Sequence, residues 1–188
     1  MIYITSDLHL GHDKPFVWQA RGFECIEAHD REIVRRWNER ISDDDTVYLL
    51  GDVMMNDTDR GMEHLRSLHG EIHIVIGNHD TPRKTGLYTQ SPNVAEVAAA
   101  LYLKQGKQMY YMSHYPTLTD NTADPSQDKQ VIVNLYGHTH QKDNFFIYEG
   151  HMVPFMYHVG VDSHGLGPVS LDEIKIDMAA AWEMLRSR

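Results

Sequence analysis

Ile72-His-Ile-Val-Ile-Gly-Asn-His-Asp80 is a β-branched apolar run that breaks off, at a glycine, into three polar residues capable of chemistry. A short apolar run bounded by a turn former predicts a buried strand whose carboxyl end delivers Asn78, His79 and Asp80. The same figure recurs on either side of it. Upstream, Thr46-Val-Tyr-Leu-Leu50 runs into Gly51-Asp52, and Ile2 to Thr5 runs into Ser6-Asp7-Leu-His9. Downstream, Gln108 to Met112 leads to Ser113-His114, and Val131 to Tyr136 leads to Gly137-His138-Thr-His140. In open α/β sheets, sites form where the carboxyl ends of strands converge.

Between the first three strands, Ile26, Ile33, Val34, Trp37 and Ile41 recur at helical spacing, and Met62, Leu65 and Leu68 mark a shorter helix. This alternation predicts a βαβ core with parallel strands. The second half is richer in strands. Val97 to Leu103 and Gln108 to Met112 flank Gln105-Gly106-Lys107 as one hairpin; Phe145 to Tyr148 and Met152 to Val159 flank Glu149-Gly150 as another. Ser170-Leu-Asp-Glu173 has the spacing of a capping box, Ile174 and Ile176 alternate like a strand, and Ala179 to Arg186 reads as a terminal helix. The expectation is a mixed α/β (α+β) chain of two packed sheets flanked by helices, one domain over residues 1–188. Asp80 to Asn93 and Thr117 to Gln130 read as long polar loops.

The 188 residues include 27 acidic and 17 basic side chains, a formal net charge of −10. Such a surface disfavours nonspecific nucleic-acid binding, which rests on many Lys and Arg contacts to phosphate. It leaves room for a small phosphorylated substrate, because bound metal ions would make a site locally positive. Cys25 is the single cysteine, so it excludes an internal disulfide and reads as a small apolar filler. No apolar run approaches the roughly 20 residues of a membrane span. The opening Met-Ile-Tyr-Ile-Thr-Ser-Asp7 lacks the features of a secretory signal, and a cytoplasmic chain without a membrane partner is expected.

Imidazole mixed with carboxylate suits Mn, Fe, Zn, Co or Ni, whereas Mg and Ca take nearly all-oxygen sites. Asp7, His9, Asp52, Asn78, His114, His138 and His140 are more ligands than one tetrahedral zinc accepts, and they suit two ions sharing a carboxylate. Asp7 and His9, two apart, point to one side if extended geometry continues past the strand, as do His138 and His140. Gly51, Gly77 and Gly137 each precede a ligand, as a tight turn or close backbone approach requires. Trp37, on the apolar helix face, reads as core, and His29, His64, His69, His73, His151 and His158 read as surface or structural.

In order from Asp7 to His140, the motifs D-x-H, G-D, G-N-H-D, a lone His and G-H-x-H resemble those of the calcineurin-like metallophosphoesterases. The resemblance implies a four-layer double β-sandwich flanked by helices. It implies one metal on Asp7, His9 and His140, a second on Asn78, His114 and His138, and Asp52 bridging them. His79 matches a catalytic histidine beside the leaving group, and Asp80 the acid that orients it. Two divalent ions, two carboxylates and a bridging hydroxide leave about +1, better matched to a phosphodiester than to a monoester. The set without its own carboxylate, on Asn78, His114 and His138, is the one expected to lose its ion first. His12, Arg83 and His164 are further candidates for substrate contact, with Lys84 beside Arg83. A nuclease would need a nucleic-acid-binding extension for which neither length nor basic surface is present. An inactive interaction module on the same fold is disfavoured by the intact motifs.

Overall fold

The computed structural model describes residues 1–119 and 131–187. Its first sheet contains β1 (Ile2–Thr5), β2 (Thr46–Leu49), β3 (Glu71–Val75), β4 (Val94–Ala98) and β10 (Val169–Ser170), in the order β10-β1-β2-β3-β4. β1 to β4 run parallel and β10 pairs antiparallel with β1. The short helix α1 (Pro15–Trp18) and the longer α2 (Ile26–Arg40) connect β1 to β2, α3 (Thr58–Ser67) connects β2 to β3, and α4 (Pro82–Tyr88) connects β3 to β4. Crossovers of one hand that step in one direction put their helices on one face. The packing agrees: Tyr3, Val47, Leu49, Ile72 and Ile74 on the sheet share a core with Ile33, Trp37, Met62, Leu65 and Tyr88 of the helices.

The opposite face of this sheet turns Ile4, Leu50 and Val75 toward a second sheet. That sheet contains β5 (Leu101–Gln105), β6 (Gln108–Ser113), β7 (Val133–Tyr136), β8 (Phe145–Tyr148) and β9 (His151–His158), in the order β5-β6-β7-β9-β8. Tyr110, Met112, Val133, Leu135 and Tyr157 supply its half of the inter-sheet core. The helix α5 (Leu171–Arg186) contacts β1, β10 and β9, and so touches both sheets. β6, β7 and β9 run parallel, and their carboxyl ends face the same region as those of β1 to β3. Among the described residues, no helix is long and apolar enough to cross a membrane.

Four expectations change. Val97 to Leu103 is not one strand: the chain leaves the first sheet after Ala98 and enters the second at Leu101, so this stretch joins the sheets. The stretch Asp80 to Asn93 is not all loop, because Pro82 starts α4, at the helix position where its missing N–H costs nothing. Ile174 and Ile176 lie on a helix already begun at Leu171, with Ile174 buried and Ile176 exposed. The apparent alternation is one edge of a helical face that also buries Leu171, Met178 and Ala181, and the Ser170–Glu173 capping box starts it. Cys25 is half-buried at the N-cap of α2 and fills no core position. Of the expected loop Thr117 to Gln130, residues 120–130 lie outside the described residues.

Trp37 is completely buried between α2 and the first sheet, and its indole N–H donates to the His69 carbonyl at 3.0 Å. Trp37→Ala removes a large core side chain and leaves that carbonyl unpaired. The expected destabilisation is about 3–5 kcal/mol, read from the urea midpoint at constant slope. A loss below ~1 kcal/mol would contradict this packing.

Candidate metal centre

The chain does not continue straight after each strand. Asp7 (φ 61°), His9 (φ 52°), Asp52 (φ 52°), His138 (φ 68°) and His140 (φ 50°) all adopt left-handed backbone. The extended geometry expected for Asp7-x-His9 and His138-x-His140 is therefore replaced by tight turns. Non-glycine residues held in this region cost of order 1 kcal/mol or more each, and such strain collects at functional sites. Backbone pairing between neighbouring strand ends enforces it. The amides of Asp7, His9 and Leu10 donate to the carbonyls of Gly51, Asp52 and Val53, each at 3.0 Å. Close approach explains the glycines. A Cβ on Gly51 would lie 2.6 Å from the Gly77 Cα and 2.7 Å from His114 Nδ1, and one on Gly137 would collide with the Ser6 hydroxyl.

These turns bring the ligating atoms of Asp7, His9 and His140 together in one group, and those of Asp7, Asp52 and His114 in another. A single oxygen, Asp52 Oδ2, stands 3.6 Å from His9 Nε2 and 3.6 Å from His114 Nε2. His114 Nδ1–H donates to the Leu50 carbonyl at 2.8 Å, and its Nε2 faces Asn78 Oδ1 at 2.8 Å. His140 Nδ1–H donates to Asp162 Oδ2 at 2.8 Å, and its Nε2 meets His9 Nε2 at 3.2 Å. Facing acceptors of this kind fit divalent cations bound between them. His138 stands differently. Its amide donates to the Asp7 carboxylate, but its exposed ring packs on Tyr115 (centroids 4.7 Å apart) and His114 (5.1 Å), in neither group.

Burial pushes the Asp7 carboxyl above its usual range, against the opposing pull of His140 and the Ser6 hydroxyl. Burial also holds His9 well below the ordinary imidazole value, so its ring stays neutral, as a metal ligand must be. The Asp162 hydrogen bond raises His140.

The family model of the calcineurin-like phosphoesterase superfamily domain matches residues 1–152. The chain belongs to that superfamily. Two phage proteins are similar over nearly their whole length. The Gene 66 protein of Mycobacterium phage D29 is 30% identical, spanning 93% of this chain and 94% of that one. The Gene 66 protein of Mycobacterium phage L5 is 27% identical, spanning 92% and 91%. The solved structure of AQ665, a protein of unknown function from Aquifex aeolicus, shares the fold with a TM-score of 0.65 at 19% identity, covering 93% of this chain and 97% of that one.

Around this centre the remaining candidates separate. His79 is 41% exposed at the mouth of a cavity of about 540 Å³ that also meets His9, His12 and His140. Its Nε2 lies 3.9 Å from Asp52 Oδ2, and its ring stands edge-on to His9 at 5.8 Å. His12 is buried at the wall of that cavity, 5.3 Å from the His9 ring, and burial lowers its pKa. Among the described residues, Asp80 makes no hydrogen bond to the His79 side chain. Its carboxylate accepts from the amides of Asp52 (2.8 Å), Gly77 (2.8 Å) and Val53 (3.3 Å) and from the Tyr88 hydroxyl (2.7 Å), so it positions the loops that carry Asp52 and Asn78. Arg83 is exposed on α4 and does not line the cavity. Lys84 is held inward, donating to the carbonyls of Met54 (2.7 Å) and His79 (2.8 Å). His164 stacks on Tyr157 and donates to the His158 carbonyl at 2.9 Å, and it too is absent from the cavity wall.

Two important residues, Arg21 and Asp162, escaped the motif reading. The buried Arg21 guanidinium grips both Asp162 oxygens (3.1 and 2.8 Å) and donates to the Asp7 and Leu8 carbonyls. Burial alone would raise the Asp162 pKa, but hydrogen bonds from His140 and Arg21 override it and keep the carboxylate ionised. The signal for Asp162 was present: β9 runs on into Val159-Gly160-Val161-Asp162, a further strand end followed by an acid.

Asp162→Asn keeps the shape but removes the charge behind His140. Metal affinity is expected to fall about 10- to 100-fold in competition with a chelating dye; unchanged affinity would remove this role. A second outcome concerns His158, completely buried and bonded through Nδ1 to Ser163 Oγ at 2.8 Å. Burial, with His164 adding to it, lowers its pKa from 6.5 to about 3. The unfolded chain therefore binds the extra proton between these values. The stability linked to His158 is complete above pH 6.5 and is lost as pH falls toward 3, at up to about 1.4 kcal/mol per unit. From pH 7 to pH 5, metal-free wild type should lose more unfolding free energy than His158→Gln. Equal losses would contradict a neutral, buried His158.

Proposed function

We propose that the chain hydrolyses phosphate esters with two divalent transition-metal ions (Mn, Fe, Zn, Ni or Co), favouring small phosphodiesters. The observation that carries this is Asp52 Oδ2, equidistant at 3.6 Å from His9 and His114, one from each ligand set. Asp7, His9 and His140 would hold one ion and Asn78, His114 and His138 the other, with Asp52 shared. When bound, the ions supply Lewis-acid charge to the phosphoryl oxygens and lower the pKa of a water nucleophile. His79, at the cavity mouth, is placed to hydrogen-bond the departing oxygen and return a proton to it. Asp80 and Arg21 keep the ligand loops in register without touching substrate. The formal charge of −10 supports a small substrate over nonspecific nucleic-acid binding.

Hydrolysis of bis(p-nitrophenyl) phosphate and p-nitrophenyl phosphate by metal-free and Mn-, Ni- or Zn-loaded protein tests the reading. Metal-dependent turnover, faster on the diester, is expected; none on either ester ends the hydrolytic proposal. His79→Ala should keep both ions and lose roughly 100-fold or more in kcat, a figure typical of a proton-transfer residue. Full activity in that variant would remove its role. Metal titration should release the ion on Asn78, His114 and His138 first. That set has no carboxylate of its own.

A further inference from the structure

The cavity beside His79 has an apolar wall and a cationic mouth, and metal binding uses neither. Phe16, Val17, Ala20 and Met55 form the apolar wall. Phe16 is 71% exposed, its ring edge-on to His12 at 5.5 Å. An exposed aromatic face over a cavity that opens onto reactive groups marks a binding surface. Lys14 and Lys142 line the same cavity. Lys14 is exposed and pairs with no carboxylate among the described residues. Lys142 is 71% exposed and lies 3.7 Å from Asp162, a carboxylate already neutralised by Arg21. In a chain of net charge −10, these lysines place positive charge at the cavity rim. The volume of about 540 Å³ is that of a small-molecule site.

On the hydrolytic reading above, we infer that this cavity takes the leaving group of the ester, and that the group is an aromatic ring carrying negative charge. A nucleoside phosphate is its biological form. The ring stacks on Phe16, the additional anion lies against Lys14 and Lys142, and the departing oxygen faces His79. Apolar surface and lysines together select this class: a sugar phosphate leaves Phe16 uncovered, and a neutral aryl alcohol leaves both lysines without a counter-charge.

Isothermal titration of Mn-loaded protein with AMP, ADP, ribose 5-phosphate and inorganic phosphate reads the site without requiring turnover. AMP should bind about tenfold more tightly than ribose 5-phosphate, the scale of one base stacked on an aromatic side chain. Phe16→Ala should abolish that preference and leave inorganic phosphate binding unchanged, whereas Phe16→Trp should retain it. Because Phe16 is exposed, neither change threatens folding. ADP should bind more tightly than AMP, and the Lys14→Ala, Lys142→Ala double variant should erase the gain. Equal binding of AMP and ribose 5-phosphate, or a preference that survives Phe16→Ala, overturns the aromatic subsite. A diphosphate gain that survives loss of both lysines overturns the anion subsite. Turnover of bis(p-nitrophenyl) phosphate by the same samples separates the two claims. Turnover without ring preference sinks the subsite alone, while ring preference without turnover sinks the hydrolytic reading and with it the leaving-group role.

Discussion

His114 donates its Nδ1–H to the Leu50 carbonyl and turns its Nε2 to the Asn78 amide oxygen at 2.8 Å. Across the site, His9 and His140 bring two Nε2 atoms to 3.2 Å, and Asp7 and Asp52 add buried carboxylates. Acceptors that converge in this way, the carboxylates among them buried, repel one another unless positive charge lies among them. The surrounding structure is organised to impose that convergence. Left-handed backbone at Asp7, His9, Asp52, His138 and His140 aims the side chains, and cross-loop hydrogen bonds keep the turns from relaxing. Asp80 fastens the Asp52 and Gly77 amides from below.

A second chain of contacts runs from the helix layer to the ligands. Asp30 Oδ1 accepts from His29 Nδ1, His29 Nε2 accepts from Arg21, and Arg21 grips Asp162, which accepts from His140 Nδ1. Asp30 also accepts from the Gly11 amide, just past His9. Each step joins groups of opposite charge or a donor to an acceptor, so the alternation fixes the tautomer of His140 without a free choice at any point. A histidine so fixed presents Nε2 to a cation at little reorganisation cost, which is what a preorganised ligand requires.

Much of this was legible in the chain because it depends on local pattern. Strand runs ending at Gly51, Gly77 and Gly137 encode both the sheet and the places where backbones must touch. What was not legible depends on contacts distant in sequence. Nothing near Arg21 shows that it will reach Asp162, 141 positions away. The family motif cast Asp80 as the acid that orients His79, whereas the turn sends its carboxylate back toward the amides of Asp52 and Gly77. His164 drew attention by residue type, whereas its neighbour Asp162 carries the contact to His140. The stretch Val97 to Leu103 looked like one strand because β propensity is blind to the point at which a chain changes sheets.

The centre belongs to neither sheet alone. The first supplies Asp7, His9, Asp52 and Asn78, and the second supplies His114, His138 and His140. These sets meet only when Ile4, Leu50 and Val75 pack against Met112, Leu135 and Tyr157. Closure at the site itself is made by parallel bridging of Ser6 to Gly160 and by the Val161 amide donating to the Ser6 carbonyl. Apolar burial between the sheets therefore drives the approach of the acceptors, and their mutual repulsion opposes it. A cation bound at the seam would remove that opposition, and metal affinity would then be coupled to inter-sheet stability.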